Sequence, residues 1–250
     1  VPATTAGKSR LPEESILKIL AFESSAKAAG AALLEDGMLR AEAFQNSGMT
    51  HSCTLMKMAE DLLASSGVSP QEIDAAAVAA GPGSFTGVRI GVAAAKGFAW
   101  GREIPCYGVS TLYAMALGAA SADGVYCCCM DARRAQVYNA IFACKDGVLT
   151  RMTEDRAISL VELQQDLLKI DKKIFLVGDG AALCYTTLSD RVPQLCLMPE
   201  HLRQQRASGA ALAAWEQIQS GEGGDAAALT PNYIRLSQAE RARLEANTTE

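Results

Sequence analysis

The sequence predicts an α/β protein built from two related lobes, each a mixed sheet flanked by helices. Two observations carry this expectation. Apolar runs of strand length alternate with stretches of helix length, and a unit of three strands followed by a helix occurs twice, in residues 16–66 and again, shortened, in residues 124–169. A chain of 250 residues with 49% hydrophobic content is long enough to bury a sizeable core and suits one large domain or two small lobes.

Strands are expected at residues 16–23, 28–35 and 38–45, the last two joined through Glu35-Asp36-Gly37, where Asp-Gly readily takes the positive φ of a tight turn. A helix at 51–66 follows, with Leu55, Ala59, Leu62 and Leu63 as its core-facing stripe, then a strand at 74–80, a helix at 87–101 and a short strand at 104–108. The second half gives strands at 124–131 and 136–144 joined through Asp131 to Ala135, a Lys145-Asp146-Gly147 turn, and a strand at 148–152. A helix at 159–169, a strand at 173–177 and helices at 179–188 and 207–219 follow. After a loop at 221–224, residues 230–235 are expected to return and pack on the folded body. No Ser/Pro-rich linker separates the halves, so the N-terminal lobe is placed at 16–110 and a smaller C-terminal lobe at 111–236. Residues 1–15, polar and holding two prolines, read as a disordered or processed extension, and 237–250 as a tail in which Ser237 and Glu240 fit a capping box.

Residues 81–91 read Gly-Pro-Gly-Ser-Phe-Thr-Gly-Val-Arg-Ile-Gly, between an apolar strand and an almost uncharged helix. Helix N-termini in α/β proteins favour anions, because their free N–H groups and dipole point outward. A Walker A loop would need Lys-Ser/Thr after its last glycine, and Gly87 is followed by Val88 and Arg89; the dinucleotide fingerprint fails at Thr86. Two readings stay open: a strand-to-helix turn capped by Ser84 or Thr86, and an anion site drawing on Gly83, Ser84 and Thr86. No cofactor fingerprint is complete, so no cofactor is expected, and a nucleotide between the lobes is left open.

The eight cysteines include no CxxC pair, and Cys127 to Cys129 fall in a predicted strand, where the first and third share one face; they read as reduced core residues. With no signal peptide and no apolar run of bilayer length, a cytoplasmic protein with no membrane partner is expected. A net charge of −5 does not suit a protein that grips a polyanion alone. The local basic clusters are Arg133-Arg134 and residues 201–206.

Ile19 to Ser25, Gly81 to Gly91, Gly108 to Leu112, Met130 to Tyr138 and Pro231 to Arg235, in that order and spacing, resemble the bacterial TsaB family, with 81–91 and 130–138 as the specific strings. The resemblance implies the actin, sugar kinase and Hsp70-like fold. It also implies a non-catalytic accessory subunit that pairs with and activates the catalytic paralogue TsaD in forming threonylcarbamoyladenosine beside the tRNA anticodon. Further implied partners are the small ATPase TsaE, tRNA indirectly through the complex, and a second copy of the chain as a homodimer when it is alone. The two metal-binding histidine positions of the paralogue correspond to Thr111 and Met115, neither a suitable ligand, and the two histidines present, His51 and His201, lie far apart. Glu23 stands where the family has Asp, displacing the carboxylate by about 1.5 Å. No catalytic or metal residue is therefore assigned, and a free-standing ATPase of this fold or a metallopeptidase is the disfavoured alternative. Pairing is expected through the helices at 51–66 and 87–101, with His51, Leu55, Met58, Leu62, Gly87, Gly91, Ala94, Ala95 and Phe98 at the interface.

Overall fold

The computed structural model describes residues 16–235; the N-terminal extension, the Ser237 capping box and the tail lie outside them. The first sheet contains β1 (Lys18–Glu23), β2 (Ala29–Glu35), β3 (Met38–Gln45), β4 (Ala75–Gly81) and β5 (Cys106–Ser110), in the order β3-β2-β1-β4-β5. β1–β2 and β2–β3 are antiparallel, whereas β1–β4 and β4–β5 are parallel. The second sheet contains β6 (Gly124–Asp131), β7 (Gln136–Lys145), β8 (Val148–Arg151), β10 (Ile174–Val177) and β11 (Leu195–Leu197), in the order β11-β10-β6-β7-β8, with β9 (Arg156–Ser159) pairing β7. Strand for strand the two sheets share one plan: a central strand, an antiparallel pair on one side and a parallel pair on the other.

Each sheet is buried on both faces. In β1, Leu20 and Phe22 pack toward α1 (His51–Ser66) and α2 (Phe85–Trp100), while Ile19 and Ala21 pack toward α7 (Ala207–Gln219). β4 reads Ala-Ala-Ala-Val-Ala-Ala-Gly and is buried throughout, so its short side chains let helices approach closely on both faces. In β6, Cys127 and Cys129 face α4 (Leu160–Leu167) and α5 (Ala181–Leu188), and Cys128 faces the opposite cluster with Tyr126, as strand alternation requires. All eight cysteines are free thiols; Cys53 is exposed and Cys196 half-buried, unlike the other six.

Several features depart from the sequence reading. α3 (Thr111–Ala119) was not anticipated: Leu112, Met115 and Ala116 face the second sheet while Ala114 faces the first, so the helix has no polar side to give it an amphipathic period. α7 falls in the segment assigned to the second lobe, yet it packs on the first sheet. Glu42 on β3 holds it there, accepting from the Ser208 N–H at 3.0 Å and pairing with Arg206 at 2.8 Å, which sets a carboxylate at the α7 N-terminus. The 3-10 turn Pro70–Glu72 and the short elements β9, β11 and α6 (Glu200–Arg203) were also not anticipated.

Where α7 crosses α3, a Cβ on Gly209 would collide with the backbone of Ala114. Gly209→Ala is expected to destabilise the chain by about 1–3 kcal/mol through overpacking, despite the better helix propensity of alanine, as read by urea denaturation.

Candidate functional site

The ends of the central strands meet in a cleft of about 440 Å³ between the lobes. Its walls are the β1–β2 loop (Ser25 to Lys27), the Pro82–Phe85 turn, the β6–β7 turn, Asp179 after β10, and the returning segment Asn232 to Arg235.

The glycine-rich turn is shaped by packing. Gly81 has φ +122° and precedes a cis peptide to Pro82. The Ser84 N–H donates to the Ser25 carbonyl at 2.6 Å, and Ser84 Oγ accepts from the Gly87 N–H at 3.3 Å, so Ser84 is the N-cap of α2. A Cβ on Gly83 would press on Ser25, one on Gly87 on the Ser24 carbonyl, and one on Gly91 on Ser24 Oγ and Val78. These glycines let α2 touch the β1–β2 loop. Of the anion-site candidates, Gly83 and Ser84 line the cleft, whereas Thr86 is exposed on the first turn outside its lining.

Acids from both lobes face one another beneath it. Glu23 is 1% exposed; its Oε1 accepts from the Ser25 N–H at 2.5 Å rather than pairing with Lys27, which is exposed. Burial, with the charge of Asp179 adding, pushes Glu23 up to about 7. Burial also raises Asp179, and a hydrogen bond from Gln205 Nε2 at 2.9 Å partly offsets it.

Thr111 and Met115, which the resemblance set opposite metal-binding histidines, are buried in α3, with the Met115 methyl against Gly178 and Thr111 Oγ1 without a partner among the described residues. A thioether is a soft donor and a lone hydroxyl a weak one, so the pair does not replace two imidazoles at a borderline cation. Among the described residues, no group of three or more His, Cys, Asp or Glu side chains could hold a metal ion. His51 begins α1, and its Nε2 lies 2.8 Å from the Ala26 carbonyl, tying that helix to the β1–β2 loop; His201 lies on α6. The Gly178-Asp179-Gly180 turn is the strand-to-helix connection into α5, closely packed on Cys129 and Met130.

The returning segment packs on the body, as anticipated, and crosses the cleft. Its Asn232 N–H donates to Ala80 at 2.7 Å, Tyr233 stacks on Phe85 at 4.8 Å, and Arg235 Nη1 reaches the Ala132 carbonyl on the second lobe at 2.9 Å. Arg89 on α2 donates to the Tyr233 hydroxyl at 2.7 Å and lies 3.7 Å over the Phe85 ring. The Pro231–Arg235 string was visible in the sequence, but nothing in it pointed to Phe85 or Arg89. Across the cleft, Arg133, Arg134 and Ala135 all hold positive φ, at about 1–2 kcal/mol each for non-glycine residues. Asp131 secures this turn, accepting from the Arg133 N–H at 2.7 Å.

The expected interface residues divide. Leu55, Leu62, Gly87, Gly91, Ala95 and Phe98 are buried in the chain's own core, a correction to their placement at a partner surface. Apolar character in sequence marks both kinds of position, and here the first sheet claims them. His51, Met58 and Ala94 are half-buried. Ala93, Gly97 and Trp100 are exposed on α2, Trp100 at 69%, and Met56 on α1; Met56 and Gly97 line a groove of about 650 Å³ with Ala59, Leu63 and Phe98 at its base and Lys57, Glu60 and Arg102 on its border.

The raised Glu23 gives a pH prediction. Its folded value near 7 lies above the ordinary 4.5, so the folded state holds this proton more tightly, and stability falls as pH rises from about 4.5 to 7. Glu23→Gln, which keeps the acceptor for Ser25, should flatten that window and stabilise the chain at pH 8 by on the order of 3 kcal/mol, measured by urea denaturation at pH 5 and pH 8.

The chain matches the family described as TsaD, tRNA N6-adenosine threonylcarbamoyltransferase, over residues 45–243. It is 32% identical over 230 residues to the tRNA threonylcarbamoyladenosine biosynthesis protein TsaB of Bacillus subtilis, covering 92% of this chain and 99% of that one. With the Escherichia coli protein of the same name it shares 36% identity over 167 residues, 66% of this chain and 72% of that one. Among solved structures, a Pseudomonas aeruginosa protein described as similar to peptidase YeaZ superposes with a TM-score of 0.73 at 27% identity, covering 88% of this chain and 100% of the other. YeaZ from Pseudomonas aeruginosa superposes likewise, with a TM-score of 0.70 at 26% identity, covering 87% of this chain and 99% of the other. Shared length, shared fold and the matched strings together show that this chain belongs to the TsaB family of tRNA threonylcarbamoyladenosine biosynthesis proteins.

Proposed function

We propose that this chain is a non-catalytic accessory subunit that pairs with the catalytic paralogue TsaD and activates it for threonylcarbamoyl transfer to tRNA. The observation that carries this reading is the exposed outer face of α1 and α2. Met56, 45% exposed, and Gly97, with nothing within 4 Å of where a Cβ would sit, line a groove with an apolar base that Lys57, Glu60 and Arg102 border, and Trp100 stands 69% exposed at the end of α2. An exposed apolar face carrying an adaptable methionine and a small residue suits a close helix–helix contact. Thr111 and Met115 favour the accessory role over metal-dependent catalysis by this chain. By the same reading the paired subunits form the docking site for the small ATPase TsaE, and without its partner the α1/α2 face joins two copies of the chain about a twofold axis.

Gly91 is a poor position at which to test pairing, because its Cβ would strike Ser24. Met56→Glu combined with Gly97→Glu places charge on the outer face alone. The double variant should lose co-purification with the catalytic paralogue while its melting temperature stays within a few degrees of the parent, since exposed substitutions usually change stability by about 0.5 kcal/mol or less beyond the helix-propensity gain at residue 97. Retained co-purification would overturn the proposed face.

A further inference from the structure

Three cations line the cleft in a chain of net charge −5, Lys27 on the β1–β2 loop, Arg133 on the β6–β7 turn and Arg235 on the returning segment; Arg134 is exposed next to Arg133 in the chain, and Arg89 on α2 is bonded to Tyr233. The counter-charge within reach is small. Asp131 lies 3.4 Å from the Arg133 guanidinium, whose side chain is still 80% exposed. Glu23 is buried below the rim, and Asp179, half-buried in the cleft wall, accepts from Gln205. Lys27 and Arg134 are exposed and form no ion pair among the described residues. A turn with three successive positive-φ side-chain-bearing residues, at 65°, 55° and 54°, lifts the two arginines into solvent. Strain of this kind persists where the surroundings fix it, and it gathers at functional positions.

Beside the cations lies an aromatic face. Tyr233 is 41% exposed and is held by its stack on Phe85 and its bond to Arg89, so one ring is fixed at the rim with part of its surface open. Guanidinium groups for a phosphate backbone beside a fixed aromatic for an unstacked base are what single-stranded RNA requires. An acidic peptide would satisfy the charges and leave the aromatic unused.

We propose that this rim is where the chain itself touches tRNA, with backbone phosphates of an unpaired stretch against Lys27, Arg133 and Arg134 and a base against Tyr233. The inference rests on the accessory role proposed above. With few cations and an acidic remainder, binding is weak alone and strengthened when a partner holds the rest of the tRNA.

The test titrates a labelled anticodon stem-loop RNA by fluorescence anisotropy, with the chain assembled on its catalytic paralogue and with the chain alone at ~25 mM salt. Arg133→Gln with Arg134→Gln should weaken binding at least about tenfold at ~0.1 M salt and reduce the slope of log affinity against log salt by about 1.4, two single-strand phosphate contacts' worth. Co-purification with the paralogue and thermal melting should be unchanged, because both side chains are exposed. Tyr233→Leu should weaken binding of the looped RNA and leave a blunt duplex unaffected. Unchanged affinity and slope in the double arginine variant overturn the inference, as does full displacement of the RNA by equimolar ATP, which would make the rim a mononucleotide site. Failure of the parent chain to assemble with the paralogue would count against the accessory role instead, and the titration of the chain alone still reads the rim.

Discussion

The rest of the molecule depends on one close contact, the backbone of the β1–β2 loop lying directly against α2. It exists because Gly83, Gly87 and Gly91 carry no side chains where Ser24 and Ser25 approach, and because β4 is made almost wholly of alanine. Ser24 Oγ completes the contact by donating to the Gly87 carbonyl at 2.9 Å. With α2 seated this way, its inner face fills the core of the first sheet and its N-terminus opens on the cleft, with Phe85 and Arg89 beneath Tyr233. Its outer face is left to solvent beside α1. A string that resembles a phosphate loop is thereby accounted for by packing, and one helix links the cleft to the proposed pairing surface.

Electrostatics separates the cleft into two layers. Its base holds two acids, buried Glu23 and half-buried Asp179, one from each lobe, and desolvation raises each from its ordinary value. Its rim is basic. The returning segment joins the layers mechanically, bound to the first lobe through Asn232 and Tyr233 and to the second through Arg235. Contacts within the chain therefore span a gap between lobes that are also joined by α3, by Gln205 and Arg206 ahead of α7, and by Ser110 donating to Asp155.

Much of this fold could be read from the chain because amphipathic periods and turn residues were strong. β3, β6 and α1 lie where the pattern placed them, and the three adjacent cysteines alternate as a strand demands. What escaped notice had a physical reason. α3 is surrounded by two cores and shows no polar face; β9 and β11 are only four and three residues long; and α7 is drawn to the first sheet by Glu42, an acid 164 residues before its partner Arg206. At the candidate site, the glycine turn and Ser84 were legible because capping and close approach leave local marks. The Phe85–Tyr233–Arg89 group was not, since it unites residues from distant segments. The same limit explains why Phe98 was placed at the interface and why Leu55 and Leu62 were placed both there and on the core-facing stripe they do form: a hydrophobic letter does not say whether it meets its own sheet or another chain.

At the base of the cleft Glu23 is buried beneath packed turns, while the chain's open surfaces include the groove beside Met56 and Gly97 and the arginines of the β6–β7 turn. The most direct measurement is the initial rate of tRNA threonylcarbamoyladenosine formation by the purified catalytic paralogue, the small ATPase, tRNA and the threonylcarbamoyl donor, with and without this chain. An accessory subunit predicts a rate that rises with added chain and saturates at equimolar paralogue. A rate indifferent to this chain would contradict the account.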